Sequence, residues 1–323
     1  MRSNKRGAAM ALAAAIASFA AAAMPAHAQD STVKIGYFAQ LHDAALLSLK
    51  DSLGGKYKLE YVKFQRYADA AIALTRGDIQ ITSLGYASLI TDASRGGQQK
   101  IFFVSGLARG AINLVCRKDV KIEKWADLKG KSIGVVSGFP EIFLDDAVGK
   151  HGGNPADLRK VNFAVAGPPV LQALKDKTTD CASVFEPFGA TAVSEGYAYY
   201  PRTDLIDNSF LGINNGVAVN AEFLQANRPL IQDVVNGVVA ATANYRQSKS
   251  AWVTQMVKSQ GIPGPIVTIG VDRVVLDNAL YKDQAWTLAG NMKKQGLIKG
   301  VASRETLDGY FDPSFLAAVP KKK

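Results

Sequence analysis

The side chains best able to bind or react stand in short turns that follow apolar runs. Gln40 and His42 come after the first run, Ser83, Gly85 and Tyr86 after a later one, Ser137, Gly138 and Phe139 just ahead of Pro140, and Glu186 ahead of Pro187. Arg109, Asn214 and Asn215 lie where the pattern of elements changes. Together they supply hydroxyls, amides, an imidazole and a carboxylate, a set suited to holding a polar guest. Arg109 could grip a carboxylate or sulfonate in a bidentate fork. Gly138 in a tight turn, with Pro140 at a helix start, would aim free N–H groups at an anion. Tyr86 offers a ring as well as a hydroxyl. Plainer roles compete for each residue: Ser83 as a helix cap, Asp43 likewise, Tyr86 as core, Arg109 and Arg66 as exposed charges, Asn214 and Asn215 as turn residues. Glu186 has a second use too, accepting from N–H groups at a helix start. The expected ligand contacts are Gln40, His42, Ser83, Tyr86, Arg109, Ser137, Gly138, Phe139, Glu186 and Asn214.

Catalysis is not expected. Beyond residue 28 the histidines are His42 and His151, and neither has a Cys or Glu at zinc-ligand spacing. The nucleophile elbow G-x-S-x-G, the P-loop and the dinucleotide fingerprint G-x-G-x-x-G are missing from the sequence. We therefore expect no metal and no cofactor.

Positioning these turns requires strands and helices in alternation. Val33–Phe38, Tyr57–Phe64, Ile79–Thr82 and Ile101–Ser105 read as strands, separated by helical patterns at His42–Leu53, Tyr67–Arg76 and Gly85–Ser94. The alternation restarts with strands at Ala111–Cys116, Ser132–Val136, Val161–Ala164, Cys181–Phe185 and Tyr197–Pro201, with helices between them. One more strand is expected at Asn215–Val219, and helices alone after it. In one of these, Leu230, Ile231, Val234, Val235, Val238, Ala241 and Tyr245 keep the spacing of a buried face. Such alternation with short connections predicts α/β units with a largely parallel sheet. Ligands of open α/β sheets sit beyond the carboxyl ends of the strands, where the candidate residues fall.

Arg2, Lys5 and Arg6, an alanine-rich apolar run and Ala26-His27-Ala28 form the three parts of a secretory signal peptide, so residues 1–28 are set aside. The apolar run falls short of the roughly 20 residues that span a bilayer. The formal net charge of +10 includes the three leader cations, and the remaining basic residues are scattered rather than striped with aromatics. Nucleic acid is not an expected partner. Lys321-Lys322-Lys323 reads as a solvated tail. Cys116 and Cys181 form one disulfide in an oxidising compartment or remain two buried thiols; spacing does not choose between them.

Several ordered pieces resemble the nitrate/sulfonate/taurine class of ABC-transporter substrate-binding proteins. They are Lys34-Ile35-Gly36-Tyr37, Ala71-Ile72-Ala73-Leu74 leading to Arg76-Gly77-Asp78-Ile79, Trp125 to Lys131, Ile133-Gly134-Val135 with Gly138 beyond, and Asp180 to Phe188. The resemblance implies an α/β, two-lobed type II periplasmic-binding-protein fold with a helical C-terminal segment. Residues 29–110 plus 213–323 would form lobe 1 and 111–212 lobe 2. It further implies a periplasmic monomer that captures a small organic anion (sulfonate-, carboxylate- or pyrimidine-type) in the interlobe cleft. Its partners would be the permease and ATPase of an ABC importer. In that family the turn at Gly138 commonly receives the anionic head; Phe139-Pro140 stands here where small hydroxyl residues are frequent. The alternatives are a receptor subunit for a membrane kinase or chemoreceptor, and a periplasmic enzyme on the same fold.

Overall fold

Strands buried along their whole length, at Ile81–Gly85, Cys181–Phe185 and Ile213–Asn220, run through the middle of two sheets. The structure, a computed structural model, describes residues 32–110, 112–136, 139–201 and 213–320; the expected leader, Ser137 and Gly138 lie outside them. β1 (Val33–Tyr37) lies between β2 (Leu59–Lys63) and β3 (Ile81–Gly85), parallel to both. Gly36 permits this fit, because a Cβ there would stand 2.5 Å from Thr82 Oγ1 and 2.8 Å from Ile79 Cδ1. The connections are α1 (Ala44–Leu47) and α2 (Leu49–Leu53), then α3 (Tyr67–Arg76), with α4 (Tyr86–Arg95) following β3. Gly77 closes α3 with φ 79°, the left-handed turn that glycine adopts without a Cβ clash.

β4 (Ile101–Gly110) completes the outward path, and β5 (Ile112–Arg117) opens a second sheet. There β6 (Ser132–Val136), α5 (Phe139–Lys150), β7 (Arg159–Phe163), α6 (Pro168–Lys175), β8 (Cys181–Phe185), α7 (Phe188–Ser194) and β9 (Ala198–Tyr199) follow. Their strand order is β7-β6-β8-β5-β9. β10 (Ile213–Asn220) returns to the first sheet and inserts antiparallel between β3 and β4. Both sheets are therefore mixed, not largely parallel: a strand that enters a sheet from the other one arrives without a right-handed crossover to set its direction.

The C-terminal part comprises α8 (Ala221–Ala226), α9 (Arg228–Gln247), α10 (Lys249–Gln260), α11 (Gly264–Val271), α12 (Lys282–Lys294), α13 (Arg304–Asp308) and α14 (Ser314–Ala317). α9 buries Ile231, Val234, Val235, Val238 and Tyr245 as their spacing requires. One expectation fails here. β11 (Val274–Leu276) is a strand at the edge of the first sheet, order β11-β4-β10-β3-β1-β2, in a stretch read as purely helical. Three residues are too short a run to show a period of two.

Cys116 and Cys181 face each other across the antiparallel β5–β8 pair, both fully buried, and are joined as a disulfide. The bond ties residues 65 apart in sequence. Replacing both with Ser should lower the unfolding free energy by about 2–4 kcal/mol. Urea unfolding followed by circular dichroism measures this, and the folded spectrum should stay the same.

Candidate functional site

Strand ends from both sheets converge on one cavity of about 1150 Å³. The first sheet contributes Phe38 and Gln40 after β1, Arg66 and Tyr67 after β2, and Gly85 at the end of β3. The second contributes Val136 and Pro140 around the start of α5, Asn162 and Phe163 at the end of β7, and Phe185 at the end of β8. Ligands occupy this place in open α/β sheets, since the amides at the following helix starts are unpaired.

Tyr67 organises the first-sheet wall. Its hydroxyl donates to Gln40 Oε1 at 2.8 Å, so its oxygen is the acceptor for His42 Nε2 at 3.1 Å. That leaves His42 Nδ1 as a buried acceptor without a partner. Burial holds the imidazole neutral, with its pKa pushed down to about 3. The Tyr67 ring lies 4.3 Å from that of Phe38 and 6.1 Å from that of Phe185, whose ring also meets His42 at 6.2 Å. Phe185 comes from the second sheet, so these ring contacts bridge the two sheets.

Beneath this wall sits Asp43, fully buried, with Oδ2 accepting from the Phe38 amide at 2.6 Å. It ties the loop after β1 rather than capping a helix. Burial pushes its carboxyl up to about 7, against hydrogen bonds from Ser83 and the Phe38 amide. Ser83 is buried and accepts from Asn215 Nδ2 at 2.5 Å. It does not cap α4, whose N-cap position is Gly85. Asn214 is buried at a register shift between β10 and β4, and neither its Oδ1 nor its Nδ2 has a partner.

The structure thus gathers Gln40, His42 and Ser83 at and behind one wall of the cavity. Other expected contacts stand elsewhere. Tyr86 is core: its ring packs on Phe103 and Phe311, and its hydroxyl donates to the Leu280 carbonyl at 3.0 Å. It begins α4 with its side chain turned onto the apolar face, whereas Ala87 and Ser88 line the cavity. Arg109 lies on β4 beside the edge strand β11, with its Nε 3.3 Å from Asp277 Oδ2, and it does not line the cavity. Ser137 and Gly138 fall outside the described residues, and Phe139 begins α5.

Glu186 is turned inward, away from the cavity. Its Oε1 accepts from Asn113 Nδ2 at 3.0 Å and from the Tyr200 hydroxyl at 2.8 Å; its Oε2 accepts from the Ala190 amide at 2.9 Å in the first turn of α7. Its backbone carbonyl accepts from the Leu41 amide at 3.2 Å, a bond between the two sheets' loops. With three donors already on its oxygens, this carboxylate has little left to offer a ligand. Tyr67 and Phe185 were not among the expected contacts, although Tyr67 follows β2, Phe185 ends β8 and the same positional argument reaches them.

The NMT1/THI5-like sequence profile matches residues 57–250. Solved structures share the fold. A ligand-binding component of an ABC-type import system from Staphylococcus aureus has TM-score 0.75 and 18% identity over 90% of this chain and 100% of its own. The alkanesulfonate-binding protein SsuA from Xanthomonas axonopodis pv. citri has TM-score 0.70 and 17% identity over 88% and 99%. The nitrate-binding protein NrtA from Synechocystis PCC 6803 has TM-score 0.69 and 14% identity over 88% and 87%. No curated protein sequence matches the chain significantly.

Burial raises the Glu186 carboxyl from 4.5 to about 7, against hydrogen bonds from Ala190, Tyr200 and Asn113 and the nearby Arg273 charge. Between those values the unfolded chain has released the proton that the folded protein retains, so stability falls as pH rises. Relative to Glu186→Gln, the wild type should lose about 1 kcal/mol per pH unit across this window and little outside it. Urea unfolding of both proteins from pH 4 to 8 measures the difference, in which the titrations of Asp43 and His42 largely cancel.

Proposed function

We propose that this chain, which belongs to the NMT1/THI5-like family, is a periplasmic solute-binding protein that captures a small organic molecule between its two sheets and delivers it to the permease and ATPase of an ABC importer. One observation carries the reading: a single cavity takes its walls from strand ends of both sheets. Residues 32–110 with 213–320 act as one lobe and 112–201 as the other. Capture then follows from hinge closure. Ligand held by Gln40, Tyr67 and the Phe185 ring gains the Pro140 and Asn162 wall only when the lobes close, and this difference in contacts drives the closure.

Sulfonates, carboxylates and pyrimidine-type compounds are the ligand classes we propose. Among the described residues no Lys or Arg is buried. An anionic head would rest on amide groups at the start of α5 and on Arg66 at the mouth, while an amine or a ring N–H would donate to Gln40 Oε1. The reading is one of capture by a monomer, without turnover. A sensory role would use the same cleft and a different membrane partner.

The test has two steps. A thermal-shift screen of sulfonates, aromatic carboxylates and aminopyrimidines should find a compound that stabilises the protein, by about 2.7 kcal/mol at a hundredfold excess over Kd. Small-angle scattering at saturation should then show a smaller radius of gyration. An unchanged radius, or chemical conversion of the bound compound, would count against capture by closure.

A further inference from the structure

The cavity does not end at the interlobe cleft. It runs on between α3 and α4 along the first lobe, past Thr75 and Thr91, and only its far end, at Gly77 and Asn220, is ringed by charge, from Arg76, Asp92, Arg95, Lys100 and Glu222. Small side chains keep this trough open: Ala71 on α3 faces it, as do Ala87 and Ser88 on α4. Met292 of α12 and Leu297 form one bank. Ile72 and Leu297 are 47% and 48% exposed, two of the three large apolar side chains so exposed among the described residues, and both line this one trough. The two threonine hydroxyls along it are already engaged. Thr75 Oγ1 donates to the Ile72 carbonyl at 2.9 Å and Thr91 Oγ1 to the Ala87 carbonyl at 2.8 Å, each back onto its own helix.

From this continuity we infer that the trough receives the apolar tail of an elongated, amphipathic ligand whose polar head occupies the interlobe cleft. The inference rests on the capture reading for the head and adds a second subsite for the tail. A head group at Gln40 and Tyr67 uses only the inner part of a cavity of about 1150 Å³. A 10-residue helix such as α3 runs about 15 Å, which gives the trough room for an extended alkyl chain. Met292 suits such a lining, because its thioether side chain adapts to irregular apolar shapes. A docking protein segment is the competing occupant; the trough's opening into the cleft favours the ligand.

The uncharged fluorophore 1-N-phenylnaphthylamine tests the trough without any head group, so the result does not depend on whether the capture reading holds. The wild type should bind it saturably with enhanced, blue-shifted emission. Straight-chain n-alkanols should displace it, each added methylene tightening displacement by up to about fourfold until the chain fills the trough. Ala71→Phe should abolish binding by filling the trough. Ile72→Glu, at an exposed position that leaves the core alone, should weaken it about tenfold and decides the matter if Ala71→Phe fails to fold. Absence of binding to the wild type, or binding by the folded variants equal to wild type, would overturn the inference. So would displacement independent of chain length, which would mark the groove as a docking face for another protein.

Discussion

A buried carboxylate at the junction of the two sheets organises this molecule. The chain leaves the first sheet after Gly110 and returns to it at Ile213, and Glu186 is bonded to a residue near each passage, Asn113 and Tyr200. Its backbone carbonyl also takes the Leu41 amide, while the Leu41 carbonyl accepts from Trp252 Nε1 of α10. Gly270 of α11 closes the junction from the other side; a Cβ there would stand 2.5 Å from Leu41 Cδ1 and 3.4 Å from Glu186 Oε2. Burying an unpaired carboxylate is costly, and removing one of its donors would leave that cost uncompensated. The passages therefore have a preferred arrangement, and the strand ends on either side face each other across the cavity as a consequence.

The cavity wall repeats the same logic on a smaller scale. Tyr67 is held by Gln40 and His42, and its ring is held by Phe38, so its position is determined before any ligand arrives. A site preorganised in this way spends less of its binding free energy on ordering side chains. Phe185 meets the wall from the other sheet, directly next to Glu186 in sequence, which couples the cleft surface to the junction through a single peptide unit.

Much of the fold was legible because it rests on local pattern. Alternating strands and helices, the buried face of α9 and the glycine stop at Gly77 each follow from spacing within a few residues. β11 and the antiparallel placement of β10 were not legible, since a three-residue edge strand and the direction of an inserted strand depend on partners far away in sequence. The site divides in the same way. Gln40 was found by its position after a strand, and Tyr67 was missed in favour of its neighbour Arg66. Tyr86 and Arg109 were misplaced because a side chain's direction at a turn is set by what it packs against: Phe103 and Phe311 for the first, Asp277 for the second.

By itself the sequence determined the class of architecture and the family, and it pointed to several of the turns that border the cavity, since those depend on periodicity, composition and short ordered motifs. Only the tertiary structure decided which side chains at those turns reach the cavity, that Cys116 pairs with Cys181, and that Glu186 serves the junction. The physical reason is that hydrogen-bond donors, aromatic faces and cross-strand neighbours come from residues tens of positions apart, and nothing local to Glu186 announces Asn113 and Tyr200 as its partners.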